Sequence, residues 1–422
     1  MEFNRKRTTL SVKRRSSQNL KRDCCTEEST PHSLRQLLCL TAFLLSIPFF
    51  FMPLPWKIDS DLDEFASLLK LHRQTSIGFP GSQSKDLSKF YKWYLSSGIH
   101  KLTLNNAGDP RLPSKYPLNT MYFENKVVDY FADLYGFGND YWGFVSNGGT
   151  ESNNHGLYFA RKWFQLTAAQ HPIVYYSKEA HFSVQILSDL QQLESKAIDV
   201  DDSGRMDAAD FKAKIDLERP IFLFLAAGTT MTGAIDDIQN LYQVIEEAGV
   251  ANTTFIHVDA ALAGGILPYS SCAEKIFLNQ SRIGFHSIAV SGHKFYGLDT
   301  PTAVFLTTGK IYRSVRTTFR ENFVSPHAAP MISCSRNSLN ALKFYWRLQT
   351  TSKNEFSQQV NMMMEHAKTL HAQIKAANLT AWRHPCSNTV FFPTPDSSIC
   401  TKYSLPSKHV HTYGDISHIV VM

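Results

Sequence analysis

The sequence predicts an α/β protein: a large domain around a mostly parallel sheet, with a smaller C-terminal α+β domain behind it. Three observations predict this. Short apolar runs alternate with stretches of helical periodicity over residues 123–306, the pattern of repeated strand–helix crossovers. One run, IFLFLA at 221–226, is apolar throughout, as a parallel strand covered on both faces must be. In the last hundred residues two long helical patterns give way to two short strand patterns, which a continued crossover sheet would not produce.

In chain order, residues 61–72 read as a helix, because Leu62, Phe65, Leu68, Leu69 and His72 fall at helical spacing. Gly78, Pro80 and Gly81 then mark a loop, and 123–134 read as a helix that Gly136 ends. Helices are predicted over 151–166, 183–193, 207–215 and 236–247. Strands are predicted over 173–176, 197–200, 221–226, 254–258, 287–290 and 303–306. Residues 338–348 and 356–377 carry helical periodicity, and 389–392 and 416–421 read as strands. The expected organisation is a disordered basic tail over 1–35, an apolar segment over 36–56, a large domain over 57–310 and a small domain over 311–422.

Composition supports a folded body: 43% of the 422 residues are hydrophobic and 19% charged. The formal net charge is +6, but the first 35 residues hold nine lysines and arginines against four acids. The rest is close to neutral, so charge gives no argument for nucleic-acid binding. The seven cysteines (Cys24, Cys25, Cys39, Cys272, Cys334, Cys386, Cys400) are odd in number, with no paired spacing and no CxxC metal signature. Free thiols in a reducing compartment and no metal site are expected.

Residues 36–56 hold no charged residue, and a bilayer core takes roughly 20 apolar residues. The basic stretch before them would stay cytoplasmic, placing 57–422 on the far side, as in a single-pass signal anchor. Pro48, Pro53 and Pro55 shorten the clean apolar stretch to 34–47, a size that also suits a targeting signal. A membrane anchor is the expectation, with an organelle-targeted or cytoplasmic protein as alternatives. Asn252, Asn279 and Asn378 each begin an N-x-S/T triplet, a number that chance supplies in a chain of this length.

Four local features fall at predicted strand ends, where open α/β sheets place ligands. The first is SNGGTESN at 146–153. Gly148 and Gly149 let backbone approach a ligand, and Thr150 can cap a helix whose free N–H groups favour phosphate. The bland reading is a turn and a cap. The second is His181, whose flat ring could stack on an aromatic cofactor, although a lone histidine is more often structural. The third is Asp259 in HVDAAL at 257–262; an acid ending an apolar strand needs a partner, either a helix cap or a protonated ring nitrogen. The fourth is Lys294 in SGHK at 291–294. A lysine between apolar segments either snorkels to solvent or uses a depressed pKa for nucleophilic attack on an aldehyde. No feature decides alone. Together, in this order, they supply what pyridoxal 5′-phosphate (PLP) needs: phosphate donors, a stacking face, an acid for the ring nitrogen and an amine for the aldehyde.

With FADLYGF, YYSKEAHFSV, GTTMTGAIDD, SGHKFYG and CSRNS, these motifs make residues 60–422 resemble the group II PLP-dependent amino-acid decarboxylases, in particular bacterial histidine decarboxylases and plant serine decarboxylases. The resemblance implies a PLP-dependent transferase-like fold of type I, working as a homodimer on a small amino-acid substrate. It implies that Lys294 carries PLP, His181 stacks on its ring and Asp259 pairs with the ring nitrogen. Gly149, Thr150, Ser291 and His293 would surround the phosphate; Thr229 or Thr230 and Ala261 would line the ring. Tyr116–Thr120 followed by Phe123 and Glu124 looks more like the histidine enzymes, and makes Asn119, with His181, a substrate-binding candidate. Residues 106–110 look more like the serine enzymes.

Three stretches depart from the family pattern. Residues 297–303 replace a Pro-x-Pro-Cys-Gly type stretch, Asn322-Phe323 stand where a tyrosine is common, and Ser338-Leu339 replace a Gly-His pair. The chain also ends a few tens of residues before the family pattern does, so an incomplete small domain is expected. Two rival readings follow: a membrane-anchored lyase of the sphingosine-phosphate type, and a PLP-binding relic with an interaction role.

Overall fold

A computed structural model describes residues 58–83, 85–273, 278–316 and 331–422. The expected tail and apolar segment, residues 1–56, lie outside the described residues, as does Asn322-Phe323. Among the described residues no helix is long and apolar enough to cross a membrane. The chain divides into two units, residues 1–65 and 66–422.

The helices are α1 (Ile58–Thr75), α2 (Ser88–Ser96), α3 (Met121–Leu134), α4 (Gly149–Thr167), α5 (Ser183–Leu190), α6 (Ala208–Lys214), α7 (Ile238–Glu247), α8 (Gln280–Ile283), α9 (Gly309–Arg316), α10 (Ser338–Gln349), α11 (Lys353–Ala376) and α12 (Ser397–Tyr403). The central sheet contains β1 (Tyr141–Ser146), β2 (Ile173–Ser177), β3 (Ser195–Ile198), β4 (Ile221–Ala226), β5 (Thr254–Asp259), β6 (Ser287–Ser291) and β7 (Ala303–Thr308). Its order is β1-β7-β6-β5-β4-β2-β3. Strands β6 to β3 pair in parallel, and β7 runs antiparallel to both its neighbours. This is the predicted α/β architecture.

Strand β4 shows why the run at 221–226 carries no polar residue. Phe222 and Phe224 enter the core on one face, and Leu223 and Leu225 enter the core on the other. Successive side chains of a strand point to opposite faces, and both faces here are covered. Strand β1 was not predicted. Its Gly143 sits where a Cβ would lie 2.3 Å from the Phe305 carbonyl of β7, so a glycine interrupts the β-branched signal where backbone approach requires it.

Behind the large sheet, β8 (Thr389–Pro393), β9 (Ser407–Val410) and β10 (Gly414–Val420) form an antiparallel sheet in the order β8-β10-β9. Helix α11 covers it through Ala367, Leu370 and Ile374, which pack with Val390 and Phe392. Its start is fixed by a capping box: Ser352 accepts from the Glu355 N–H, and the Glu355 carboxylate accepts from the Ser352 N–H.

The expectation of free thiols is corrected at one pair. Cys272 and Cys386 are joined in a disulfide with 5.9 Å between Cα atoms, across 114 residues. Sequence spacing gave no sign of it, because the fold alone brings the segment after β5 to the loop before β8. Cys334 and Cys400 are free.

The two described departures from the family pattern, at 297–303 and 338–339, are knit into the fold. Lys343 of α10, fully buried, donates to Asp299 at 2.5 Å and to Thr300 Oγ1 at 2.6 Å. Asp299 also accepts from Tyr91, and Asn340 accepts from Thr300. Ser338 donates to Asn106 at 2.8 Å. Close by, Arg336 and Glu124 form a buried pair in which Asn106, the Val145 N–H and the Gly108 carbonyl satisfy the remaining groups.

Candidate active site

The carboxyl ends of β2, β4, β5 and β6 and the amino end of α4 converge on a cavity of about 530 Å³. Gly149, Thr150, His181, Thr230, Asp259, Ala261, Ser291, His293 and Lys294 line it. Nine of the eleven sequence candidates are therefore brought together. The other two are not. Thr229 is buried inside its own loop, where its Oγ1 contacts Thr232 and accepts from the Ala234 N–H; Thr230 is the lining residue of the pair. Asn119 does not line the cavity: its amide donates to the Tyr116 carbonyl and its oxygen accepts from the Met121 N–H, so both ends hold the turn into α3.

The anion end of the cavity is built from backbone. Helix α4 starts at Gly149, after Gly148 in a conformation (φ 141°) that favours glycine, and no side chain caps it. Thr150 is thus inside the first turn rather than at the cap predicted for it. Glu151 reaches back to accept from the Asn147 N–H at 2.8 Å, closing the turn. A Cβ on Gly149 would come within 3.3 Å of Ser291 Oγ and 3.1 Å of the Ala261 methyl, so the glycine keeps this corner open. Ser291 Oγ is buried and has no hydrogen-bond partner among the described residues. Uncapped helix N–H groups facing a partnerless hydroxyl are what a phosphate satisfies.

Asp259, at the end of β5, is 8% exposed. One carboxylate oxygen accepts from the Ala261 N–H at 3.0 Å and the other from Asn153 Nδ2 at 2.9 Å. Behind it runs a chain the sequence did not reveal. Asn153 Oδ1 accepts from His257 Nε2 at 3.0 Å, and His257 Nδ1 accepts from Ser287 Oγ at 2.7 Å. Burial pushes the His257 pKa down to about 3, so its ring is neutral and carries its proton toward Asn153. The ring fits because α4 has Gly156 opposite: a Cβ there would lie 2.6 Å from His257 Nδ1. Asn153 lies within SNGGTESN and His257 opens HVDAAL, so the motifs contained both, but only the α4–β5 packing gives them a joint role.

Lys294 follows β6. Burial lowers its pKa, and the nearby Asp259 charge opposes that shift. Among the described residues it makes no hydrogen bond or ion pair. His181 lies on the cavity wall beside Phe182, with ring centroids 4.5 Å apart. Its Nδ1 accepts from the Ser183 N–H, and burial lowers its pKa, which favours a neutral ring. His293 Nδ1 accepts from the Thr302 N–H. Phe79, Pro80, Pro406, His418 and Val420 close the other side. The two His418 ring nitrogens face the Met231 and Gly78 carbonyls, linking β10 to the loop that carries Phe79.

A phosphate corner, a flat ring, a fixed carboxylate and a buried amine in one cavity fit PLP in its chemistry. Comparison with known proteins agrees. The pyridoxal-dependent decarboxylase conserved domain matches residues 114–381. Histidine decarboxylase of Pseudomonas entomophila is 32% identical over 85% of this chain and 85% of its own length. Histidine decarboxylase of Vibrio campbellii is 33% identical over 86% and 89%. The crystal structure of L-methionine decarboxylase from Streptomyces sp. 590 superposes with a TM-score of 0.75 at 21% identity, over 88% of this chain and 94% of that one.

Proposed function

The chain belongs to the pyridoxal-dependent decarboxylase family and is a PLP-dependent amino-acid carboxy-lyase, and from that premise we propose that it converts histidine to histamine and CO2 in the cavity described above. The observation that carries the site assignment is the placement of Asp259, at the end of β5, and Lys294, just after the neighbouring β6, in one cavity with the Gly149–Ser291 corner. The preference for histidine rests on the curated relatives that match over most of this chain.

Bound here, PLP supplies an electron sink for the pair released when the Cα–carboxylate bond breaks. Lys294 Nζ would anchor the aldehyde carbon; its lowered pKa raises the neutral, nucleophilic fraction of the amine. Held in the cavity, Lys294 Nζ would also be placed to carry a proton. The α4 N–H groups of the first turn, with Ser291 and His293, would hold the phosphate. Asp259 would receive the ring N–H, its direction set by Asn153 and the Ala261 N–H. His181 would cover the ring face, and Ala261 and Thr230 its edge. Phe79, Pro80 and Val420 would exclude water from the reacting carbon.

Lys294 is the one lysine or arginine among the described residues lining the cavity, so a second anionic group on the substrate finds no dedicated cation. This favours an amino acid over a sphingoid phosphate. The active unit in this reading is a homodimer. The exposed apolar face of α1, with Leu62, Phe65, Leu68, Leu69 and Leu71 between 40% and 61% accessible, is of the kind that marks a protein contact. The sheet β8–β10 with α11 serves as the small domain.

The test supplies PLP-loaded protein with histidine, serine, methionine and a sphingoid phosphate in parallel. Histamine formed with equimolar CO2, and little from the others, supports the reading. CO2 from serine alone reassigns the substrate, and aldehyde release from the sphingoid phosphate alone rejects amino-acid decarboxylation.

A further inference from the structure

We propose that the body of this protein matures in an oxidising, secretory-type compartment and carries N-linked glycans at Asn252 and Asn378, but none at Asn279. Two independent structural observations carry this. The first is the disulfide between Cys272 and Cys386. Neither cysteine lines the cofactor cavity, so the bond is no part of the catalytic chemistry, and structural disulfides persist in oxidising compartments.

The second is how the fold treats the three N-x-S/T triplets. Asn252 is exposed in the turn Ala251–Thr253 before β5. Asn378 is exposed just past the end of α11, in a left-handed conformation with φ 57°. Among the described residues neither side chain makes a hydrogen bond, so each amide is available. Asn279 differs. Its amide nitrogen lies where a Cβ on Gly136 would be 2.4 Å away, and its oxygen accepts from Ser281 at 2.7 Å. A glycan on that nitrogen would displace the end of α3, so a folded chain carries none there. Asn252 precedes the amino end of β5, whereas Asp259 ends that strand. A glycan at Asn252 would therefore stand about 16 Å or more from the cavity, at roughly 3.3 Å per strand residue. The basic tail followed by the uncharged segment 36–56 has the charge order that sends a following domain across a membrane.

The modifications balance as follows. Each Asn Nδ2 attacks the anomeric carbon of a lipid-linked oligosaccharide pyrophosphate. The new C–N bond replaces the C–O bond to phosphate, the lipid pyrophosphate leaves, and Nδ2 loses one proton. The two thiols lose two protons and two electrons to the disulfide of a thiol oxidase.

The experiment expresses the full chain in eukaryotic cells and analyses it before and after peptide-N-glycosidase treatment, with alkylation of denatured protein before and after reduction. The expected result is a two-glycan mobility shift removed by the enzyme. N252Q and N378Q should each remove one step, and N279Q none. Cys272 and Cys386 should be alkylated only after reduction. A folded full chain with Asn252 and Asn378 unmodified, or with both cysteines alkylated before reduction, overturns the proposal.

Discussion

At Gly156 a missing side chain decides where His257 can stand, and through it how Asp259 is aimed. A Cβ at 156 would meet three atoms of the His257 ring between 2.6 and 3.0 Å. The ring cannot retreat within a closely packed core without breaking its bonds to Asn153 and Ser287. Gly156→Ala should therefore cost about 1–3 kcal/mol of stability, as overpacking does. It should also weaken PLP binding measurably, which equilibrium titration of the cofactor's absorbance checks. Asn153→Leu should weaken PLP binding with a smaller change in melting temperature. Lys294, Asp259 and His181 could be picked out from sequence only together, because their order at successive predicted strand ends supplies what PLP needs. Asn153, His257 and Gly156 could not be given roles, because an amide, a histidine and a glycine are ordinary in a helix or strand until two elements are packed together. Asn119 stays outside the cavity for the converse reason: its amide completes a local turn that residue type does not reveal.

At the scale of elements, the loop after β6 is one of the stretches that depart from the family pattern, and it is held by α10. Lys343 is buried, with its ammonium on Asp299 and Thr300. Removing the acid strands a buried charge, which costs about 3 kcal/mol, whereas replacing the lysine with an apolar side chain costs less. Asp299→Ala should thus lower the denaturant midpoint more than Lys343→Met. Equal, negligible effects would mean that the loop is not anchored this way. The main elements were legible wherever burial imposed a period: β4 and β5 through apolar runs, α3 and α4 through helical spacing. Strand β1 was hidden by its glycine, and α2, α9 and α12 were not predicted. The bounds of β4 match the prediction, and those of the other parallel strands moved by one or two residues, because chain pairing rather than composition ends them.

For the whole molecule, two fully buried histidines, His155 and His257, and a third, partly buried one, His286, set the response to acid. Burial lowers the pKa of His257 to about 3 and those of His155 and His286 to about 4. Each folded value lies below the unfolded value near 6.5, so the unfolded chain takes up the extra proton as pH falls. Stability is then complete above about pH 6.5 and is lost toward pH 4, by about 1.4 kcal/mol per histidine per pH unit. Asp236, raised by burial to about 6, acts in the opposite sense below that pH, but it is one group against three. Chemical denaturation of the cofactor-free protein at pH 7 and 5.5 should show a net loss. The disulfide closes a loop spanning 114 residues, and replacing both cysteines with serine should cost about 2–4 kcal/mol, read from the denaturant midpoint. The sequence made the α/β class and the cavity's position legible, because the order of motifs follows the order of strands. It could not show the disulfide, because nothing local records a contact made across more than a hundred residues. The most direct test of the central claim compares PLP-loaded wild type with Lys294→Ala for visible cofactor absorbance and for 14CO2 released from carboxyl-labelled histidine. Wild type should show an absorbance band and release stoichiometric CO2, with both lost in a variant that remains folded. Undiminished CO2 release from folded Lys294→Ala would contradict that claim.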